Sequence, residues 1–151
     1  MRTWKLVCSS CAEQLPGDAP ASVCPKCSQP LLVEYPVLAV LPKDLWNRWD
    51  MWRYAPLMPL RDEEVPVSLG EGATPLLDVP TIAAELGLKR VWVKEEGLNP
   101  TGSFKARGMS AAVTRARGHG VKGLVVPTAG NAGAALAAYA AAAPPPPRGF
   151  A

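Results

Sequence analysis

All four cysteines of the chain fall within its first 27 residues, as Cys8-x2-Cys11, twelve intervening residues, then Cys24-x2-Cys27. Two such pairs, each in a tight turn, aim four sulfurs at one point. This fixes the local fold before any helix or strand is considered. The spacing matches a four-thiolate zinc site. Four thiolates close the coordination sphere, so the metal implied is structural. Unbound thiols or two disulfides are the alternative, and disulfides belong to oxidising compartments. "WKLV" and "PLLVEY", which flank the pairs, read as strands of a zinc ribbon over residues 1–35.

Charge narrows the classes of partner. The net charge is +3 and the basic residues are scattered. In the ribbon, Arg2, Lys5 and Lys26 are offset by Glu13, Asp18 and Glu34, so no nucleic-acid surface is expected. The N-terminus lacks the apolar run of a signal peptide. No stretch reaches the ~18 consecutive apolar residues of a membrane span. A cytoplasmic protein without membrane contact is the expectation.

Residues 36–69 read as a connecting segment. Trp46, Trp49, Trp52 and Arg53 suggest a short amphipathic helix that begins after Pro42 and is ended by Pro56 and Pro59. The tryptophans are expected to pack this segment onto the next domain. From Gly70 to residue 143 the signals alternate. "TPLLDV" is extended, and "PTIAAELG" is a helix stopped by Gly87. "KRVWVKE" is a strand, "NPTGS" a turn, and "FKARGMSAAVTRARG" a helix with Ser103 as N-cap and Gly118 beyond its end. "KGLVVP" reads as a buried strand, and "TAGNAGAALAAYAAAA" as a turn entering an alanine-rich helix. Strand–helix alternation predicts an α/β fold with a parallel sheet, and ligands bind such sheets where strands meet helix N-termini. The four prolines of "APPPPRGFA", residues 143–151, predict an extended tail.

Lys105 stands about two residues into its predicted helix, directly after a turn. A lysine amine attacks an aldehyde in its neutral form, and a helix N-terminus favours neutral over positive groups. Taken alone, the position is far more often that of a lysine on a solvated face. "GEGATPLL", "VKEEGLNPTGSFKARG" and "PTAGNAGAALAAYAA", in this order, resemble the threonine synthases. These are fold-type-II enzymes that use pyridoxal phosphate, with a tryptophan synthase β-like fold. The two CxxC pairs and the tryptophan-rich connection resemble one bacterial and archaeal branch of them. The resemblance covers residues 1 to about 142, the N-terminal part of such an enzyme.

The resemblance implies that Lys105 carries pyridoxal phosphate covalently and then serves as acid and base. It implies that Asn131 hydrogen-bonds the cofactor's ring hydroxyl; a helix cap is the plain alternative for that residue. Ser103 and Phe104 flank the lysine at the cofactor. Thr128, Ala129, Gly130 and Asn131 grip the carboxylate of an amino-acid substrate. The implied reaction converts O-phosphohomoserine and water to threonine and phosphate, by a full-length form expected as a homodimer. Related lyases (cysteate synthase, threonine or serine dehydratase) are the runner-up. A non-catalytic zinc-ribbon binding fragment is the alternative from another class.

The chain departs from the family pattern at Ala106, where Asp is usual, and at Ala73, where Asn is usual. "TAGNAG" also replaces a hydroxyl-richer loop. These changes bear on substrate more than on cofactor. The family's glycine-rich phosphate loop has no counterpart after Asn131, and residues 144–151 read as a truncation, a frameshift or a pseudogene end. The 151-residue chain alone is expected to be a poor catalyst.

Overall fold

The computed structural model describes residues 4–36 and 41–143. The expected proline tail, residues 144–151, lies outside them. The chain divides into two compact units, Met1–Asn47 with Arg53–Glu64 and Arg48–Trp52 with Val65–Ala151. Residues of the expected connecting segment are shared between the two.

The first unit is built on three antiparallel strands: β1 (Lys5–Cys8), β2 (Gln14–Pro16) and β3 (Leu31–Glu34), in the order β2-β1-β3. Lys5 stands opposite both Pro16 and Glu34, and its amine pairs with the Glu34 carboxylate at 3.0 Å. Such a cross-strand pair contributes only tenths of a kcal/mol at an exposed site. The Trp4 indole N–H donates to Gly17 O at 3.0 Å and closes the β2 side. A side chain at position 17 would collide with Trp4, which explains the glycine.

The amphipathic α-helix expected after Pro42 does not form. Two short 3-10 helices, Pro42–Asp44 and Met51–Leu57, take its place. An α-helix would send the Trp46 N–H to Pro42 O, but it donates instead to Arg53 O at 2.9 Å. Asp50 intervenes as well, accepting from the Trp52 N–H at 3.0 Å. Pro56 does not end the segment; it lies inside the second 3-10 helix. Of the tryptophans, Trp52 is buried in the second unit and Trp49 is 84% exposed.

The second unit carries β4 (Leu76–Asp78), α1 (Pro80–Glu85), β5 (Trp92–Lys94), α2 (Lys105–Gly118) and α3 (Asn131–Ala142). The expected α/β character holds, but β4 and β5 pair antiparallel, with Leu77 opposite Val93. The expected strand "KGLVVP" is irregular and exposed. Its backbone joins no ladder among the described residues, and a strand exists only through such bonds.

Helices α1 and α2 end alike. Gly87 (φ 64°) and Gly120 (φ 66°) take the left-handed conformation that closes a helix. The Gly120 N–H donates to Arg117 O and the Val121 N–H to Ala116 O. Gly118, expected beyond the end of α2, is its last residue, and Gly120 makes the stop. Helices α2 and α3 pack together through Val67, Ala106, Val113 and Tyr139, with Met109 and Leu136 alongside. Ala106 is fully buried there. An aspartate at this position would have to be paired to be tolerated.

Two neighbouring backbone positions predict opposite responses. Gly72 has φ 106°, and a Cβ there would stand 2.7 Å from Met51 N. Ala73 has φ 48°, which alanine adopts at a cost. Gly72→Ala is expected to cost about 2 kcal/mol or more, and Ala73→Gly to add about 0.5–1 kcal/mol. Denaturant unfolding of the two variants checks both signs.

Candidate functional site

In the first unit the β1–β2 turn and the β3 approach bring the four cysteine sulfurs within 4.8 Å of one another. Cys8–Cys27, Cys11–Cys27 and Cys11–Cys24 stand 3.4, 3.5 and 3.6 Å apart. A disulfide needs about 2.05 Å, so all four are free thiols. Tetrahedral coordination at a Zn–S distance of about 2.3 Å sets S···S near 3.8 Å. The cluster is therefore shaped to hold a metal ion.

Its electrostatics agree with that shape. The N–H groups of Cys11 and Ser10 donate to Cys8 Sγ at 3.4 Å and bring that thiol down to about 6. At Cys27 the Gln29 N–H works downward, but the Cys8 sulfur, burial and the sulfurs of Cys11 and Cys24 outweigh it and push the thiol up to about 12. Gathered thiolates repel one another, and a divalent cation removes that conflict.

The second site is built at the N-terminal end of α2. Asn99, buried to 4% exposure, organises the turn before it. Its Nδ2 donates to Glu96 O at 2.8 Å, and its Oδ1 accepts from the Gly72 N–H at 3.1 Å. Gly102 (φ 69°) lets the turn close, with its N–H on Asn99 O. Arg107 then ties the first turn of α2 to this loop. Its Nε and Nη2 each reach a Glu96 oxygen at 2.7 Å, and Thr74 donates to the same carboxylate at 2.6 Å.

Lys105 is the first residue of α2, not two residues in, and its Nζ lies 4.3 Å from the centre of the exposed Phe104 ring. Ser103 is not the N-cap. Phe104 holds that position without a side-chain bond. Among the described residues the Ser103 hydroxyl is buried without a partner, and so is that of Thr101. Two orphaned hydroxyls in the turn before the lysine are costly unless a ligand completes them.

At the start of α3 the cap is Gly130 (φ 139°), so Asn131 is the first helical residue and not the cap. Thr128 Oγ1 accepts from the Gly130 and Gly133 N–H groups at 3.0 and 2.9 Å. The N–H groups of Asn131 and Ala132 have no partner among the described residues. Thr128, Ala129, Gly130 and Asn131 are all exposed. No hydrogen bond joins this loop to Lys105 or Ser103 among the described residues. An apolar groove of about 540 Å³ lies elsewhere, between the C-terminal half of α2, residues 120–124 and α3.

Glu71 was not legible as a site residue. It is fully buried and accepts from the Trp52 indole at 2.9 Å, Ser110 at 2.6 Å and Tyr139 at 2.6 Å. Burial, with the carboxylate beside it, pushes the Tyr139 phenol well above its ordinary range. A lone acid between two glycines was the available signal.

Residues 67–144, just over half of the chain, match the family of pyridoxal-phosphate dependent enzymes, and the chain belongs to that family. It is similar to the threonine synthase of Methanosarcina acetivorans, 38% identical over 139 residues, which is 90% of this chain and 34% of that protein. The threonine synthase of Methanocaldococcus jannaschii is 51% identical over 89 residues, 59% of this chain and 22% of that protein. That of Synechocystis sp. is 45% identical over 104 residues, 67% and 27%. The chain thus spans about a third or less of the length of these relatives. No helix among the described residues is long and apolar enough to cross a membrane.

The ion pair that ties α2 to its loop predicts an acid limb. The Arg107 guanidinium holds Glu96 down from 4.5 to about 2. A depressed folded value means the contribution is complete above about pH 4.5 and is lost as the pH falls through about 2. Thermal melts from pH 6 to pH 2 should show this loss. Glu96→Gln should flatten that limb and lower stability at neutral pH by about 1–2 kcal/mol. An unchanged acid limb in the variant excludes the pair as its source.

Proposed function

We propose that the chain carries the lysine-bearing part of a threonine synthase, the enzyme type that converts O-phosphohomoserine and water to threonine and phosphate. The observation that carries this is Lys105 at the head of α2, directly after a turn that holds two buried hydroxyls with no partner among the described residues. Their chemistry fits a polar, aldehyde-bearing cofactor. When bound, pyridoxal phosphate supplies an electron sink for the substrate's carbon framework.

The residues then divide the work. Lys105 Nζ attaches the cofactor and, once released, moves protons at the α and β carbons of the substrate. Ser103, and Phe104 beneath the amine, border the cofactor. Asn131 offers its exposed amide to the ring hydroxyl. The open N–H groups of Asn131 and Ala132 suit a substrate carboxylate at a helix N-terminus. The Thr128 hydroxyl accepts two N–H bonds and keeps its own proton to donate to that carboxylate. Ala129 and Gly130 shape the loop between them.

Incubating the purified chain with pyridoxal phosphate, fixing it with borohydride and mapping the modified peptide tests the lysine. The expected adduct is on Lys105 and is absent in Lys105→Ala. An adduct spread over other lysines rejects the assignment. Phosphate release from O-phosphohomoserine by a full-length enzyme carrying this segment, lost when the lysine is replaced, supports the substrate. An oxoacid from threonine or serine without phosphate release points to a dehydratase instead.

We also assign the cysteine cluster a structural zinc ion, which makes residues 1–35 a zinc ribbon. The site holds four thiolates and leaves no position for substrate. One zinc per chain is expected. Chelation or Cys27→Ser should abolish amide protection in β1–β3. Full protection of these strands in metal-free protein sinks the assignment.

A further inference from the structure

We propose that Glu71 is a positioning residue: its buried carboxylate fixes where the first turn of α3, and with it the 128–131 loop, stands relative to α2. The inference rests on the roles given above to Lys105 and Asn131.

Five polar groups converge on this one side chain. Oε1 accepts from Trp52 Nε1 and from Ser110 of α2, and Oε2 from Tyr139 of α3 and the Leu69 N–H, at 2.6 to 3.0 Å. Ser68 Oγ stands 3.3 Å from Oε2. All five are neutral, and among the described residues no cation makes an ion pair with Glu71. The two helices are thus held by directional bonds to one acid.

The two helices depend on that acid unequally. The first turn of α2 has a second anchor, the Arg107–Glu96 pair. The described part of α3 has no charged side chain and is mostly alanine, with Leu136 and Tyr139 as its large residues. Tyr139 is its one side-chain hydrogen bond to another segment among the described residues. Tyr139 itself lies eight residues, or about 12 Å of helix axis, from Asn131. Losing this bond frees α3 to shift while α2 stays tied.

Amide exchange at the helix starts tests this. The Gly133 and Ala134 N–H groups report on α3, and those of Ala106 and Arg107 on α2. First-turn amides open locally, so a variant that lowers only global stability leaves them unchanged. Glu71→Gln keeps the shape but turns N–H groups toward donors; Tyr139→Phe removes only the hydroxyl. Both should speed exchange at Gly133 and Ala134 about tenfold, with changes at Ala106 and Arg107 below about threefold. The double variant should fall well short of the two effects combined, because both break one bond.

Wild-type exchange at Gly133 and Ala134 in Tyr139→Phe, the milder variant, overturns the proposal. So does full additivity in the double variant. The pyridoxal-phosphate adduct at Lys105 is read on the same samples. Its absence from the wild-type chain, with the exchange contrast intact, rejects the cofactor role of Lys105 and leaves the anchoring of α3 standing.

Discussion

The second unit depends on one buried acid. A carboxylate removed from water is costly unless its lone pairs are filled, and here they are filled by neutral donors from several stretches of chain. The bonds from Trp52, Ser110 and Tyr139 make Trp52, α2 and α3 share one reference point. Removing any one donor leaves a buried acceptor less than filled. The arrangement is therefore specific in a way that the thin apolar core, largely methyl groups, is not.

A second carboxylate does a different task at the edge of the same unit. Glu96 meets Arg107 in a forked pair and also receives Thr74 and Asn99. Paired with a cation and partly open to solvent, it holds a loop to a helix end. Together the two acids frame the turn of Gly70 to Pro75 and the turn of Asn99 to Ser103. The lysine-bearing end of α2 is thus fixed by polar bonds on two sides, and the loop that opens α3 only through its own Thr128 hydroxyl and the distant phenol.

Local punctuation and chemical motifs were legible in the sequence. Gly87 marked the end of α1, the two CxxC pairs marked four gathered sulfurs, and "NPTGSFK" placed Lys105 at a helix start. The family was legible too, because its motifs are short and chemically demanding. What failed depends on long-range pairing. Strand direction in β4–β5 and the fate of "KGLVVP" are set by which strands lie beside them, and a local apolar run does not encode that. The helix read after Pro42 failed because Asp50 and Arg53 capture N–H groups that the ladder needed. Gly118 and Gly120 lie two residues apart, and only the closing hydrogen bonds tell which one stops α2. Ser103 fits the composition of a cap, yet its hydroxyl turns inward without a partner. Glu71 escaped notice because its partners, Ser110 and Tyr139, are 39 and 68 residues away.

The alanines of α3 have a consequence of their own. A cylinder coated in methyl groups has shallow ridges, so little in its surface distinguishes one axial setting from the next on a neighbouring helix. Substitutions among the exposed alanines should be absorbed with little displacement, whereas Tyr139 works as the single notch on a smooth shaft. The loop ahead of such a helix then owes its setting to one phenol far behind it, so what aligns its residues is decided at the opposite end of the helix.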